Sequence, residues 1–260
     1  MKPLLLKYIV FFSLLLSQQS FAAKQGDSIT LDPIITTRSY LGLVEEYFNG
    51  VLRTTKLLTQ TSEAQSGEWE KVKPLLTQLS KNIPIAAVVW FMKPDGSYYS
   101  AETGTLTDQN LKDRAYYPHL IKGHDVLGDL VISKSTGYRS IIIASPVVLN
   151  SKTIAAIGVS LRADLLSEIV NEHLKLPTNT YFYALDSDAK IALHRYADRT
   201  FKAVAEVGDE NLEKEFKSLF KLENGMFEYN LKGKKISAIF QKSPTLGWYF
   251  FIAQEKVKLR

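Results

Sequence analysis

A strand, a short acidic turn and a return strand are written twice in this chain, and that repeat most narrows the folds open to it. The first copy is WFMKPDGSYYS, Trp90 to Ser100, and the second is FYALDSDAKIALH, Phe182 to His194. Ala86 to Met92 (AAVVWFM) is β-branched and aromatic, Pro94, Asp95 and Gly96 make a turn, and Tyr98 and Tyr99 begin the return strand. A connecting segment and three strand-like runs follow each hairpin. In the first half the runs are Asp129 to Ser133, Ser140 to Ala144 closed by Ser145 and Pro146, and Thr153 to Leu161. In the second they are Met226 to Asn230, Ile236 to Gln241 closed by Ser243 and Pro244, and Trp248 to Glu255. Two such units in tandem predict an α+β fold: two small antiparallel sheets with helices on one side.

Helical periodicity precedes the repeat. From Asp32 to about Thr61, Ile34, Ile35, Leu41, Val44, Tyr47, Phe48, Val51, Leu52 and Leu58 recur at three- and four-residue steps, with Asp32 placed as N-cap and Pro33 in the first turn. A second helix is predicted over Glu68 to Ser80, and Asn82 and Pro84 close the helical region. Asp164 is placed to cap a further helix reaching Leu174.

Composition removes several function classes. The 260 residues are 45% hydrophobic and 23% charged, the proportions of a folded globular chain. The net charge of +5 is spread along the sequence without a like-charge block, which argues against nucleic acid as a partner. With no cysteine there is no thiolate metal site, disulfide or thiol nucleophile. His119, His124, His173 and His194 show no metal-binding spacing, and no cofactor motif occurs. Ser160, in GVSLR, lacks the second glycine of a nucleophile elbow, so nothing at the level of sequence marks an enzyme. At the N-terminus, Lys2 and Lys7 flank the apolar run Tyr8 to Leu16, and Ser20 and Ala22 are small residues at cleavage-site spacing. Residues 1–22 therefore read as a secretory signal peptide and the chain as periplasmic, with a retained membrane anchor as the alternative.

Between the first hairpin and the next strand lies NLKDRAYYPHLIKG, Asn110 to Gly123. An arginine beside two phenols can hold a carboxylate by paired hydrogen bonds and an aromatic wall. The same stretch can also be a surface turn, in which Arg114 pairs with Asp113 or another acid and the tyrosines cover the core.

These segments together resemble the double Cache domain, an extracellular PAS-like sensor. The resemblance rests on the long helix, WFMKPDGSYYS, NLKDRAYYPHLIKG, the SKSTG and ASPV segments between Ser133 and Val147, IAAIGVSL, and SPTLGWYFFIA. It implies one long N-terminal helix packed along two tandem PAS-like antiparallel-sheet modules. The divisions are residues 23–82 for the helical region, 83–176 for a membrane-distal, ligand-binding module and 177–260 for a membrane-proximal module. Arg114, Tyr116 and Tyr117 match the spacing with which the amino-acid-binding branch holds a ligand carboxylate. Trp90, Tyr99, Ser133 and Ser145 are further candidate pocket residues. The branch's other tyrosine and its ammonium-binding aspartate fall here on Gln109 and Ser160, so a small carboxylate lacking an amine fits better. The resemblance also implies a membrane histidine kinase, cyclase or chemoreceptor as signalling partner, because no output domain follows the second module, and a homodimer through the long helix. A ligand-independent interaction module with a vestigial pocket is the alternative.

Overall fold

Asp32 starts the first helix by accepting from the backbone N–H groups of Ile34 (2.7 Å) and Ile35 (3.3 Å), with Pro33 in the first turn. The computed structural model describes residues 32–256, so the signal peptide expected over residues 1–22 lies outside the described residues. Helix α1 spans Pro33–Thr59, two residues short of the expected end. Thr61 instead caps a one-turn helix, α2 (Ser62–Gln65), by accepting from Ala64 N–H at 3.2 Å. Helix α3 spans Trp69–Asn82.

The first sheet contains β1 (Ala86–Met92), β2 (Ser97–Ser100), β3 (Thr105–Asn110), β4 (Val126–Ile132), β5 (Arg139–Leu149) and β6 (Lys152–Arg162), all antiparallel, in the order β3-β2-β1-β6-β5-β4. A short helix, α4 (Tyr117–Ile121), precedes β4, and α5 (Ala163–Leu174) follows β6. The second sheet contains β7 (Thr180–Leu185), β8 (Ile191–His194), β9 (Asn224–Leu231), β10 (Lys234–Lys242) and β11 (Tyr249–Glu255), in the antiparallel order β8-β7-β11-β10-β9. Helices α6 (Val204–Val207) and α7 (Glu210–Leu219) lie between β8 and β9. The architecture is the α+β arrangement anticipated from sequence, one long N-terminal helix against two antiparallel sheets.

One buried cluster joins these parts. Tyr40, Val44, Phe48 and Val51 of α1 pack with Ile141, Ile143 and Val147 of the first sheet and with Phe182, Trp248 and Phe250 of the second. Tyr40 sits 4.9 Å from Phe250 and 5.1 Å from Phe182, and Phe48 meets Trp248 edge-on at 5.7 Å. Each sheet therefore gives one face to the same helix. Among the described residues, no helix is long and apolar enough to cross a membrane.

Two local expectations are corrected. Ser145 and Pro146 do not close β5, which continues to Leu149; β4 pairs with β5 only up to Ala144, so the missing N–H of Pro146 falls on a stretch free of that neighbour. Asp164 does not cap α5. Arg162 holds the cap position, and Asp164 lies in the first turn, bonded to Arg162 Nη2 at 2.5 Å. The polar run Thr105–Asn110 gives no alternation signal, yet pairs with β2 as an edge strand.

The Tyr40 hydroxyl is buried with no hydrogen-bond partner among the described residues. Leaving such a group unpaired costs about 1–3 kcal/mol, so Tyr40→Phe is expected to leave stability unchanged or raise it. Phe48→Ala, which opens a cavity in the same cluster, is expected to cost about 3–5 kcal/mol. Urea unfolding of both variants measures the contrast; a Tyr40→Phe chain destabilised as much as Phe48→Ala would refute it.

Candidate ligand-binding site

Because strand side chains alternate, the face of the first sheet turned away from α1 carries Val88, Trp90 and Met92 of β1, Tyr98 of β2, Ile142 and Ala144 of β5, and Ala156 of β6. The segment from Leu111 to Gly123 covers this face, placing Leu111, Tyr116 and Leu120 in the same cluster. Its first half is fixed against the β1–β2 turn. Leu111 N–H donates to Gly96 O (2.8 Å), Asn110 Nδ2 donates to Asp95 O (3.1 Å), and Tyr117 OH donates to Pro94 O (2.6 Å). Gly96 has a φ of +84°, and a Cβ there would stand 2.4 Å from Asn110 Oδ1, so the turn admits the covering segment only as glycine.

Beneath the segment is a cavity of about 20 Å³ bordered by Trp90, Tyr98, Arg114, Tyr116, Ser133, Lys134 and Ser160, among others. Arg114 Nη2 donates to Ile132 O at 2.6 Å, while Arg114 Nε is buried without a partner among the described residues. Asp113 pairs with Lys134 at 2.6 Å, and that hydrogen bond draws its carboxyl below the usual range. Lys134 Nζ also donates to Asn110 O at 2.7 Å, tying the turn after β4 over the cavity. Burial pushes the Tyr116 phenol well above its ordinary pKa, so it stays protonated.

Trp90 takes up most of the room. It packs on Gly158, where a Cβ would come within 2.0 Å of Trp90 Cζ2, stacks on Tyr116 at 6.3 Å, and donates from Nε1 to Ser160 Oγ at 3.2 Å. The remaining space suits about one water.

Trp90, Arg114, Tyr116 and Ser133 thus converge on this cavity, whereas three other sequence candidates stand elsewhere. Tyr99 pairs in register with Phe91, one residue off Trp90, so it points to the helix side and stacks on Trp69 at 4.8 Å. Ser145 pairs with Ile157 on that same side and donates to Asp125 Oδ1 at 2.7 Å; Asp125 also holds Lys56 of α1 at 2.7 Å. Tyr117 anchors the segment through Pro94 rather than lining the cavity. Sequence reasoning missed Tyr98 and Lys134. Strand alternation from Met92 across the turn is the signal that would have chosen Tyr98 over Tyr99.

The outer face of the second sheet has its own aromatic cluster. Tyr229 OH lies 3.1 Å from Tyr183 OH and 3.3 Å from Tyr181 OH, and His194 stacks on Tyr181 and Tyr183 at 5.7 and 5.8 Å. Tyr196 N–H donates to His194 Nδ1 at 2.8 Å, while Arg199 Nη1 stands 3.5 Å from Nε2. Burial, with the nearby Arg199 charge, lowers the His194 pKa from 6.5 to about 3. Alternating tyrosines in a strand buried on both faces were the available sign of this cluster.

Two PAS-like sheets carried on one helix, with arginine-bearing segments over their outer faces, define a tandem sensor module. A family model described as a Cache domain, of the double-Cache type, matches residues 20–260, and the chain belongs to that family, whose members are non-catalytic ligand-binding domains. Solved structures agree on the fold. The ligand-binding domain of the Pseudomonas aeruginosa amino acid chemoreceptor PctB, in complex with L-Arg, is 21% identical with a TM-score of 0.71, covering 87% of each chain. The sensor domain of the Vibrio cholerae histidine kinase DctB is 15% identical with a TM-score of 0.65, over 86% of this chain and 96% of that one. The ligand-binding domain of the Campylobacter jejuni chemoreceptor Tlp3, in complex with 4-methylisoleucine, is 15% identical with a TM-score of 0.64, over 86% and 89%. No curated protein matches the chain.

The buried histidine sets an acid limit. The native state keeps His194 neutral down to about pH 3, whereas an unfolded chain protonates it near 6.5. Its contribution to stability is complete above the unfolded pKa and is lost as pH falls through that window, by up to about 1.4 kcal/mol per pH unit. His194→Gln should flatten this acid limb in urea unfolding series run from neutral pH downwards; an unchanged slope would remove His194 as its source.

Proposed function

We propose that the chain is a periplasmic Cache sensor whose first sheet takes a small carboxylate beneath the Leu111–Gly123 segment, and that α1 passes the liganded state to a membrane kinase, cyclase or chemoreceptor. Arg114 carries this reading: its buried Nε lacks an acceptor, a condition costing about 1–3 kcal/mol that a carboxylate oxygen would relieve. Tyr116 and Trp90 supply an aromatic wall, and Ser133 and Ser160 bring hydroxyls to the same cavity. No Asp or Glu is among the described residues lining it, so an ammonium group would find no countercharge there. This favours a carboxylate without an amine over the amino acids bound by PctB and Tlp3.

Entry requires more room than the cavity now holds, and its roof is the part that yields. The turn after β4 is tied down by Lys134 to Asp113, and the Asp113 side chain is exposed, so solvent screens the pair and it opens readily. One observation favours a second reading, a ligand-independent interaction module: Trp90 already fills the space against Gly158.

Thermal-shift and calorimetric screening of carboxylates and of the matching amino acids distinguishes the two. A carboxylate is expected to raise the Tm saturably, and Arg114→Ala to weaken it by about tenfold or more. Undiminished binding by Arg114→Ala would reject the site; a partner captured equally well with and without carboxylates, and no hit in the screen, would establish the second reading.

A further inference from the structure

The cavity on the outer face of the second sheet is larger than the one beneath Arg114, at about 30 Å³, and it is enclosed by different chemistry. Two donors that face one another, His194 Nε2 and Arg199 Nη1, stand at its edge. Neutral imidazole has one acceptor nitrogen, and His194 spends it at Nδ1 on Tyr196 N–H, so Nε2 carries the hydrogen. That N–H faces Arg199 Nη1, itself a donor, across 3.5 Å, with no acceptor among the described residues bonded to either. The three tyrosine hydroxyls, joined by two contacts at 3.1 and 3.3 Å, can each donate as well as accept, which leaves one O–H free to turn towards the cavity. None of the described lining residues is acidic. Leu185, Ile191, Val204 and Phe216 make the rest of the wall apolar.

We propose that this cavity is a second ligand site, which takes a short-chain monocarboxylate such as acetate or propionate, its oxygens between His194 Nε2, Arg199 and the tyrosine hydroxyls and its alkyl end on the aliphatic wall. Size agrees with this assignment. One water needs about 10–15 Å³ measured the same way, so the space suits two or three waters, or a carboxylate of about four heavy atoms. The tandem organisation supports it independently. In each module the face turned from α1 is overlaid by the segment that follows its hairpin, and each segment sends one arginine to the cavity, Arg114 in the first and Arg199 in the second. Trp90 occupies the first cavity, and no tryptophan is among the described residues bordering the second. Neutral His194 suits an anion held mainly by one guanidinium, because it donates a hydrogen bond without adding a buried charge.

The test is a titration of the full chain with sodium acetate against sodium chloride at equal ionic strength, read by thermal shift and by the NMR signal of ¹³C-acetate. The wild type is expected to show a saturable Tm rise. Arg199→Gln, a change at a partly exposed side chain, is expected to raise the apparent Kd about tenfold or more, and Tyr229→Phe to weaken binding severalfold. No saturable effect in the wild type, or an equal effect in Arg199→Gln, overturns the proposal. Loss in Arg114→Gln with retention in Arg199→Gln also overturns it, and places acetate beneath the first sheet, which leaves the function proposed above intact.

Discussion

Everything in this chain hangs on the buried stripe of α1 formed by Tyr40, Val44, Phe48 and Val51, which fills the same side of both sheets. Burying a side chain of this size stabilises by about 1.5–3 kcal/mol, and neither five- nor six-stranded sheet could hide its inner face without such a partner. The arrangement divides labour between faces. Stability is concentrated where the helix sits, and the opposite faces carry separate, smaller clusters covered by irregular segments. Those segments are where Arg114 and Arg199 meet a cavity without disturbing the main core.

A single register then decides which residues belong to which face. Trp90 opposes Gly158 across β6, and this absence of a side chain lets the indole lie flat towards Ser160. One step along, Phe91 opposes Ile157 and Tyr99, all on the helix side. Ser145 follows the same rule and becomes a tie to α1 through Asp125 and Lys56.

That rule also explains what could be read from sequence. The Asp32 cap, the α1 periodicity and both hairpins depend on near neighbours, so their signals are local and were legible. Tyr98 against Tyr99 depends on pairing, and two adjacent tyrosines carry no mark of which one faces inward. Thr105–Asn110 became a strand because β2 offered it an edge, something its polar composition does not announce. The Tyr181, Tyr183, His194 and Tyr229 cluster comes from three strands and was invisible to any motif of fixed spacing. His194 was read only as a histidine without metal spacing; its meaning lies in a backbone N–H two residues away and in Arg199 across the turn.

The route from an outer face to the helix is short. Trp90 and Phe91 are consecutive in β1, so a displacement that makes room beside Trp90 is felt on the other face by Phe91, which packs with α1 in the common core. Close-packed interiors do not absorb such a shift locally. In the second sheet Tyr181 and Tyr183 alternate with Phe182, which touches Tyr40 of α1 at 5.1 Å. A ligand under either sheet therefore bears on the same helix, through a neighbouring residue of a central strand. It can shift the helix only to the extent that it binds one arrangement more tightly than another. Arg114 and Arg199 are the groups able to supply that difference, because an unmet donor in one state becomes a charge-assisted hydrogen bond in the other.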